Sequence, residues 1–332
     1  VSPATVSRVL NNHPNVRQDV RSRVLKMIDE SGYVPSAAAR SLANRRTHVI
    51  CLLLPSAPAT MFGSRYHAAM IPEIAERCNE AGYLLTISML SSEEMEKRFY
   101  YQALRSRQFD GVIVLDPEMD EPILPFLLKD NIPFVMFGRH AYLKNITWVD
   151  VDNREGGRMA VTHLLKLGYR RIATITGPLT RAWGIDRRDG YKQALVEGGI
   201  TVDPQLIVES DSSQATGYQA MMRLLRLPEP PDALFAPSEP IELGALRAIH
   251  EMGLTVPDDI ALVGYDDFVP ASFGGLRMTT VVQPIKETAA AAVDLLMERI
   301  EHPERPHVQK VLPVELIVRD SCGAGLRAVQ QM

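Results

Sequence analysis

Val1-Ser2-Pro3-Ala4-Thr5-Val6-Ser7-Arg8-Val9-Leu10-Asn11 opens the chain. A serine hydroxyl at position 2 can cap the free amides of a first helical turn, and Pro3 suits the first helical position. Val6, Val9 and Leu10 then fall on one apolar stripe, while Thr5 and Arg8 share the polar face. A guanidinium can grip the O6 and N7 acceptors of guanine with two donors, and a short hydroxyl can bond a phosphate or a base edge. This is the make-up of the second helix of a helix-turn-helix, the element that enters the major groove. Any capped amphipathic helix shares it, so the reading depends on the residues that follow.

A second helix is legible from Arg17 to Ser31, with Val20, Val24, Leu25 and Ile28 at helical spacing and Gly32 as its stop. Residues 36–43 form a short alanine-rich stretch with little to bury except Leu42. So short a helix is marginal in water and needs a partner surface. A helix that forms on DNA and pushes one leucine forward fits a minor-groove wedge; an interdomain linker whose leucine packs on a neighbour fits as well.

From His48 the pattern changes to apolar runs separated by helical segments, as in parallel strands joined by right-handed crossovers. Strands are expected at Val49 to Leu54, Leu84 to Met89, Gly111 to Leu115, Pro133 to Phe137, Ile172 to Thr176, Ala233 to Ala236 and Ala261 to Gly264. Helices between them end in glycine followed by an apolar residue, at Gly82-Tyr83, Gly168-Tyr169, Gly199-Ile200 and Gly253-Leu254. The fold class is therefore α/β, two doubly wound parallel-sheet lobes, with a break near Asp150 to Asn153. Ligands of such sheets bind at the carboxyl ends of the strands.

Several stretches together resemble the lactose-repressor and galactose-repressor (LacI/GalR) family. They are residues 1–42, Val151-Asp152-Asn153 before Gly156-Gly157, Leu164 to Gly168, Arg187 to Tyr191, Val263 to Asp267, and Thr279 to Pro284, and they occur in family order to about residue 320. The resemblance implies a sequence-specific DNA-binding transcriptional regulator with a periplasmic-binding-protein-like body. It implies a headpiece and hinge helix at 1–47 and a two-lobed effector-binding and dimerisation domain at 48–322. Lobe one is then about 48–151 plus 281–312, lobe two about 152–280 plus 313–322, and 323–332 is a tail without leucine heptads. The last strand, near Val314 to Val318, is expected in lobe two. The family headpiece begins with a supporting helix, so the sequence reads as starting inside the motif, and the truncated headpiece is expected to be weakened for DNA. Arg17 stands where the family has a serine or threonine cap and is expected on phosphate.

The DNA-facing set is Ser2, Pro3, Ala4, Thr5, Ser7, Arg8 and Asn11, with Arg40 and Leu42 on the hinge. A homodimer on a palindromic operator is expected, because one recognition helix covers only a half-site. For the effector, expected to be a sugar or glycoside, the resemblance points to Arg187, three residues before Gly190, and to Asp266 after Gly264-Tyr265. A carboxylate accepts from two adjacent hydroxyls and a guanidinium donates to others. From the residues alone, Asp266 equally caps a turn and Arg187 equally pairs with Asp186 or Asp189. Ser238-Glu239 replaces the family's Asn-Asp, and Ser212 replaces an aromatic six residues before Tyr218. Trp183 can supply the missing stacking face or sit in the core. Tyr66 and Phe62 are candidates for the opposite wall, and Arg139 is a further contact. The loop from Met61 to His67 reads as about five residues longer than in compact members. Ligand binding is expected to favour one lobe orientation and so move the hinges.

The charge is uneven: the net charge is −4, yet residues 1–48 hold 8 Lys+Arg against 3 Asp+Glu. A basic end on an acidic body places nucleic acid at the amino terminus. Cys51, Cys78 and Cys322 have no metal-like spacing and suit a reducing compartment. No signal peptide or membrane span is legible, so a cytoplasmic protein is expected. No Gly-x-Ser-x-Gly, His-Glu-x-x-His, Cys-x-x-Cys or phosphate loop appears, and the eight histidines do not cluster. No enzyme, cofactor or metal is expected. Asp150 and Asp152, two apart on a strand, read as strand-end caps before a cation site. The competing class is the sugar-binding protein of a transport system.

Overall fold

The computed structural model describes residues 1–10, 13–31, 46–55, 64–90, 92–140, 142–143, 145–268 and 275–325. The chain divides into two units, Val1–Thr47 and His48–Met332.

The first unit holds α1 (Pro3–Leu10) and α2 (Gln18–Ser31). Ser2 caps α1, its Oγ accepting from the Thr5 amide at 3.2 Å. The His13 amide donates to the Arg8 carbonyl at 2.9 Å, and Arg21 donates to the His13 carbonyl at 2.7 Å, tying the connection to both helices. Val9 and Val24 are buried, whereas Leu25, expected on the apolar stripe, is 49% exposed. Arg17 precedes α2 and pairs with Asp19 at 3.0 Å. Gly32, the expected hinge helix at 36–43, and the end of the tail lie outside the described residues.

The second unit builds two six-stranded sheets. Lobe one is formed by β1 (Val49–Leu54), α3 (Arg65–Glu80), β2 (Leu84–Met89), α4 (Glu93–Phe99), β3 (Gly111–Leu115), α5 (Leu124–Lys129), β4 (Phe134–Phe137) and β5 (Trp148–Val151). Lobe two follows with α6 (Asn153–Lys166), β6 (Ile172–Thr176), α7 (Ala182–Glu197), β7 (Ile207–Glu209), α8 (Gln214–Leu225), β8 (Ala233–Phe235), α9 (Glu239–Glu251), β9 (Ala261–Tyr265) and β10 (Thr279–Val282). Then α10 (Ile285–Glu301) and β11 (Gln309–Leu312) join the first lobe, and β12 (Glu315–Ile317) joins the second. The orders are β11-β5-β4-β3-β1-β2 and β12-β10-β9-β8-β6-β7. All pairings are parallel except β10 with β12. The backbone thus passes between the lobes three times, after Val151, after Val282 and after Leu312, which gives a three-stranded hinge.

Local chemistry explains the punctuation. Gly82, Gly168, Gly199 and Gly253 all take positive φ, and the amide of the apolar residue after each donates back five positions, as Tyr83 does to the Cys78 carbonyl at 2.9 Å. Asp152 caps α6 by accepting from the Glu155 amide at 2.9 Å. Gly156 lies under the Tyr265 ring of β9, and Gly157 lies on the Arg187 carbonyl of α7. Gly190 of α7 in turn meets the Arg154 carbonyl of α6, so α6 and α7 approach with almost no side chain between them.

Candidate functional site

Strand ends from both lobes converge on a cleft of about 970 Å³. On lobe two, Asp266 follows β9 on left-handed backbone (φ 87), its amide held by the Val281 carbonyl at 2.8 Å. Its carboxylate accepts from Gln283, which follows β10. Burial raises the Asp266 pKa, against the pull of Arg187, Gln283 and His67. Arg187 is 5% exposed and donates to Asn153 Oδ1 at 2.8 Å and the Pro237 carbonyl at 2.6 Å. Its guanidinium lies 3.5 Å from the Tyr265 ring centroid and 5.0 Å from that of Trp183. It pairs with no carboxylate among the described residues; Asp186 is taken by Arg139 and Asp189 by Arg188.

Arg181, Arg139 and Arg65 each form ion pairs across the cleft. Asp116, at the end of β3 with φ 55, pairs with Arg181 and accepts from Trp183 Nε1 at 3.0 Å. Burial pushes its carboxyl up, but Arg181, His67 and Trp183 outweigh burial and hold it below the ordinary aspartate value. Arg139 makes a two-pronged pair with Asp186 at 2.6 and 2.5 Å. Arg65 meets Glu239 at 3.2 Å and donates to the Phe268 carbonyl at 2.5 Å. Asp150 accepts from the amides of Arg139 and Val151 and from Asn153 Nδ2, at 3.0, 2.8 and 2.8 Å, and burial raises it to about 6 against those bonds. Asp150 and Asp152 therefore serve as strand-end and helix caps.

Of the residues expected at the effector site, Tyr66, Arg139, Trp183, Arg187, Ser238 and Asp266 all line the cleft, and Phe62 lies outside the described residues. Ser238 bonds Ser212 at 3.0 Å, so the two serines that replace family side chains face each other. Trp183 is half-buried on the cleft wall with its ring over Gly177. The Arg139 guanidinium is occupied by Asp186. Asn11, Arg40 and Leu42 lie outside the described residues; Pro3, Ala4 and Ser7 are on α1, Arg8 is exposed and Thr5 half-buried.

Sequence reasoning missed His67, Asp116, Arg181, Glu239 and Gln283. Asp116 carried a signal, a carboxylate directly after a fully apolar strand. His67 and Glu239 are 7% and 3% exposed, yet His67 Nδ1 and Glu239 Oε2 meet no hydrogen-bond partner among the described residues. Glu239 is pushed up by burial against Arg65.

Two helices of helix-turn-helix type and a hinged, two-lobed body with a polar cleft define a ligand-gated regulatory protein. Residues 1–36 match the bacterial regulatory proteins of the lacI family, and residues 161–322 match the periplasmic binding protein-like domain. The HTH-type transcriptional regulator CelR of Thermobifida fusca is 35% identical over 97% of this chain and 95% of its own length. The HTH-type transcriptional repressor PurR of Escherichia coli is 35% identical over 98% and 94%. The structure of the CelR–cellobiose complex superimposes with a TM-score of 0.79, at 34% identity over 97% of this chain and 96% of that one. The lac repressor dimer bound to operator and the anti-inducer ONPF gives a TM-score of 0.84, at 28% identity over 97% and 96%. The chain belongs to the LacI family. It is a transcriptional regulator, which sets aside both an enzyme and a transport protein. Among the described residues no helix is long and apolar enough to cross a membrane.

Proposed function

We propose that this regulator senses a neutral saccharide in the cleft of unit 48–322 and, as a homodimer in the cytoplasm, binds a twofold operator through unit 1–47. The observation that carries the ligand class is the set of buried polar atoms left without partners in the cleft wall, His67 Nδ1 and Glu239 Oε2, beside Asp266 and Arg187. An unpaired buried donor or acceptor costs about 1 to 3 kcal/mol, so a ligand rich in hydroxyls gains by pairing them. The carboxylates of Asp116, Asp150, Glu239 and Asp266 disfavour a phosphorylated or carboxylated ligand. Trp183 and Tyr66 offer aromatic faces to a sugar ring. The cellobiose of the CelR complex and the dimeric, operator-bound state of the lac repressor support the reading. For DNA, Ser2, Pro3, Ala4, Thr5, Ser7, Arg8 and Asn11 form the reading face, with Arg40 and Leu42 on the hinge.

Titration calorimetry with glucose, galactose, cellobiose, maltose and glucose 6-phosphate tests the ligand class. At least one uncharged sugar is expected to bind and the phosphate to fail. Asp266→Ala is expected to weaken the bound sugar at least about 10-fold, since it removes a buried carboxyl acceptor worth roughly 1.5 to 3 kcal/mol. Binding of the phosphate ester alone would overturn the reading.

A further inference from the structure

We infer that the cleft contains a second recognition pocket, built on lobe one around Glu121, that takes the second ring of an unphosphorylated disaccharide. The inference rests on the saccharide reading above and specifies its size class. Glu121 lies between β3 and α5 and lines the cleft with Leu90, Ser92, Glu96 of α4 and Pro122, near Arg181 of lobe two. Its side chain is 4% exposed. One carboxyl oxygen accepts from the Glu118 amide at 3.3 Å; the other, Oε1, meets no partner among the described residues.

The two polar clusters have different nearest charges and meet at Asp116, on which Arg181 and His67 both act. Charges that act on Glu121 come from Glu96, Glu118 and Arg181, whereas those on Asp266 come from Arg187 and His67. Five strand ends from each lobe line the cleft, β1 to β5 facing β6 to β10. At about 4.8 Å per strand the cleft runs about 19 Å, longer than one pyranose. A sugar seated at Asp266 and Arg187 therefore leaves the Glu121 end open to a further ring.

The chemistry of that end selects its occupant. An unpartnered buried carboxyl oxygen calls for a donor, which excludes an apolar group. The carboxylates of Glu96 and Glu118 disfavour a phosphate, and Arg181 already supplies the cluster with a cation, so a neutral hydroxyl is the donor that fits. Burial, and then Glu96, push the Glu121 carboxyl up to about 8. Protonated at neutral pH, it can donate to one ring hydroxyl while accepting from another.

Calorimetry of the full chain with glucose, cellobiose and maltose, on wild type, Glu121→Leu and Glu121→Gln, provides the test. A disaccharide is expected to bind wild type at least about 10-fold more tightly than glucose. Glu121→Leu is expected to erase about 10-fold of disaccharide affinity and to change glucose affinity less than twofold. Glu121→Gln, the isostere of the protonated acid, is expected to restore the disaccharide to within threefold. Equal losses for glucose and disaccharide in Glu121→Leu, or no loss at all, overturn the second pocket while leaving sugar sensing intact. Failure of all three sugars on wild type, with Asp266→Ala indistinguishable from it, overturns the saccharide reading and this inference with it.

Discussion

Asp266 and Arg187 illustrate what single residues reveal. Their types and spacing named them as ligand contacts only through the family pattern, because on local grounds Asp266 could cap a turn and Arg187 could pair with Asp186 or Asp189. Folding removes both local partners of Arg187: Asp186 is claimed by Arg139 and Asp189 by Arg188. The guanidinium instead rests on Tyr265, from a strand about 80 positions downstream, which no local window could reveal. His67 and Glu121 were illegible for the same reason. Their significance lies in unpaired atoms, and pairing is a property of the folded chain. Glu121 also yields a pH prediction. Its folded pKa of about 8 lies above the ordinary 4.5, so the native state keeps a proton that the unfolded state has lost. The stability this carboxyl contributes is full below pH 4.5 and declines by up to about 1.4 kcal/mol per pH unit as pH rises toward 8. Thermal denaturation of wild type and Glu121→Gln at pH 5 and pH 8 should therefore show the variant gaining on wild type at the higher pH; a constant difference would contradict the buried, protonated acid.

At the scale of elements, the sequence was most readable where burial was complete. The apolar runs at 49–54, 111–115 and 172–176 match β1, β3 and β6 in their bounds, because buried parallel strands need side chains that are apolar on both faces; the run at 84–89 matches the edge strand β2 by composition alone, for its Leu84 and Ile87 are exposed. The three-residue β7 and the edge strand β11 escaped the pattern, since an edge strand has one solvated side and its alternation resembles a loop. Leu25 failed for the opposite reason: α2 packs on α1 along a narrow seam centred on Val9 and Val24, so a residue one step round the helix remains exposed. Gly156 and Gly157, near the start of α6, permit a close approach of this helix to its neighbours. The close approach is to Tyr265 of β9 and also to α7, which carries Arg187. A methyl at Gly157 would meet the Arg187 carbonyl, and neither backbone can yield without moving a helix. Gly157→Ala is thus expected to destabilise by about 1 to 3 kcal/mol and to weaken sugar binding by displacing Arg187. Unchanged melting and unchanged affinity would show that the α6–α7 contact does not position the site.

Across the whole body, the hinge and the cleft pairs form one device. Three backbone crossings permit the lobes to rotate, and Asp116–Arg181, Arg139–Asp186 and Arg65–Glu239 hold them in the arrangement seen here. Each pair joins a strand end or helix start of one lobe to the other, so a ligand that enters between them must alter the balance among lobe orientations. Such a ligand shifts the population only by its difference in affinity for the two states. A coupling of about 1.4 kcal/mol corresponds to a tenfold change in affinity at the distant DNA site. The most direct measurement is the anisotropy of a labelled operator duplex, selected from random DNA by the intact protein, titrated with wild type and with Asp266→Ala. Each titration is run with and without a saturating concentration of the sugar that binds wild type in calorimetry. Wild-type operator affinity should change at least about tenfold with sugar while that of Asp266→Ala does not. An unchanged wild-type affinity with the sugar demonstrably bound would contradict the coupling of cleft to DNA.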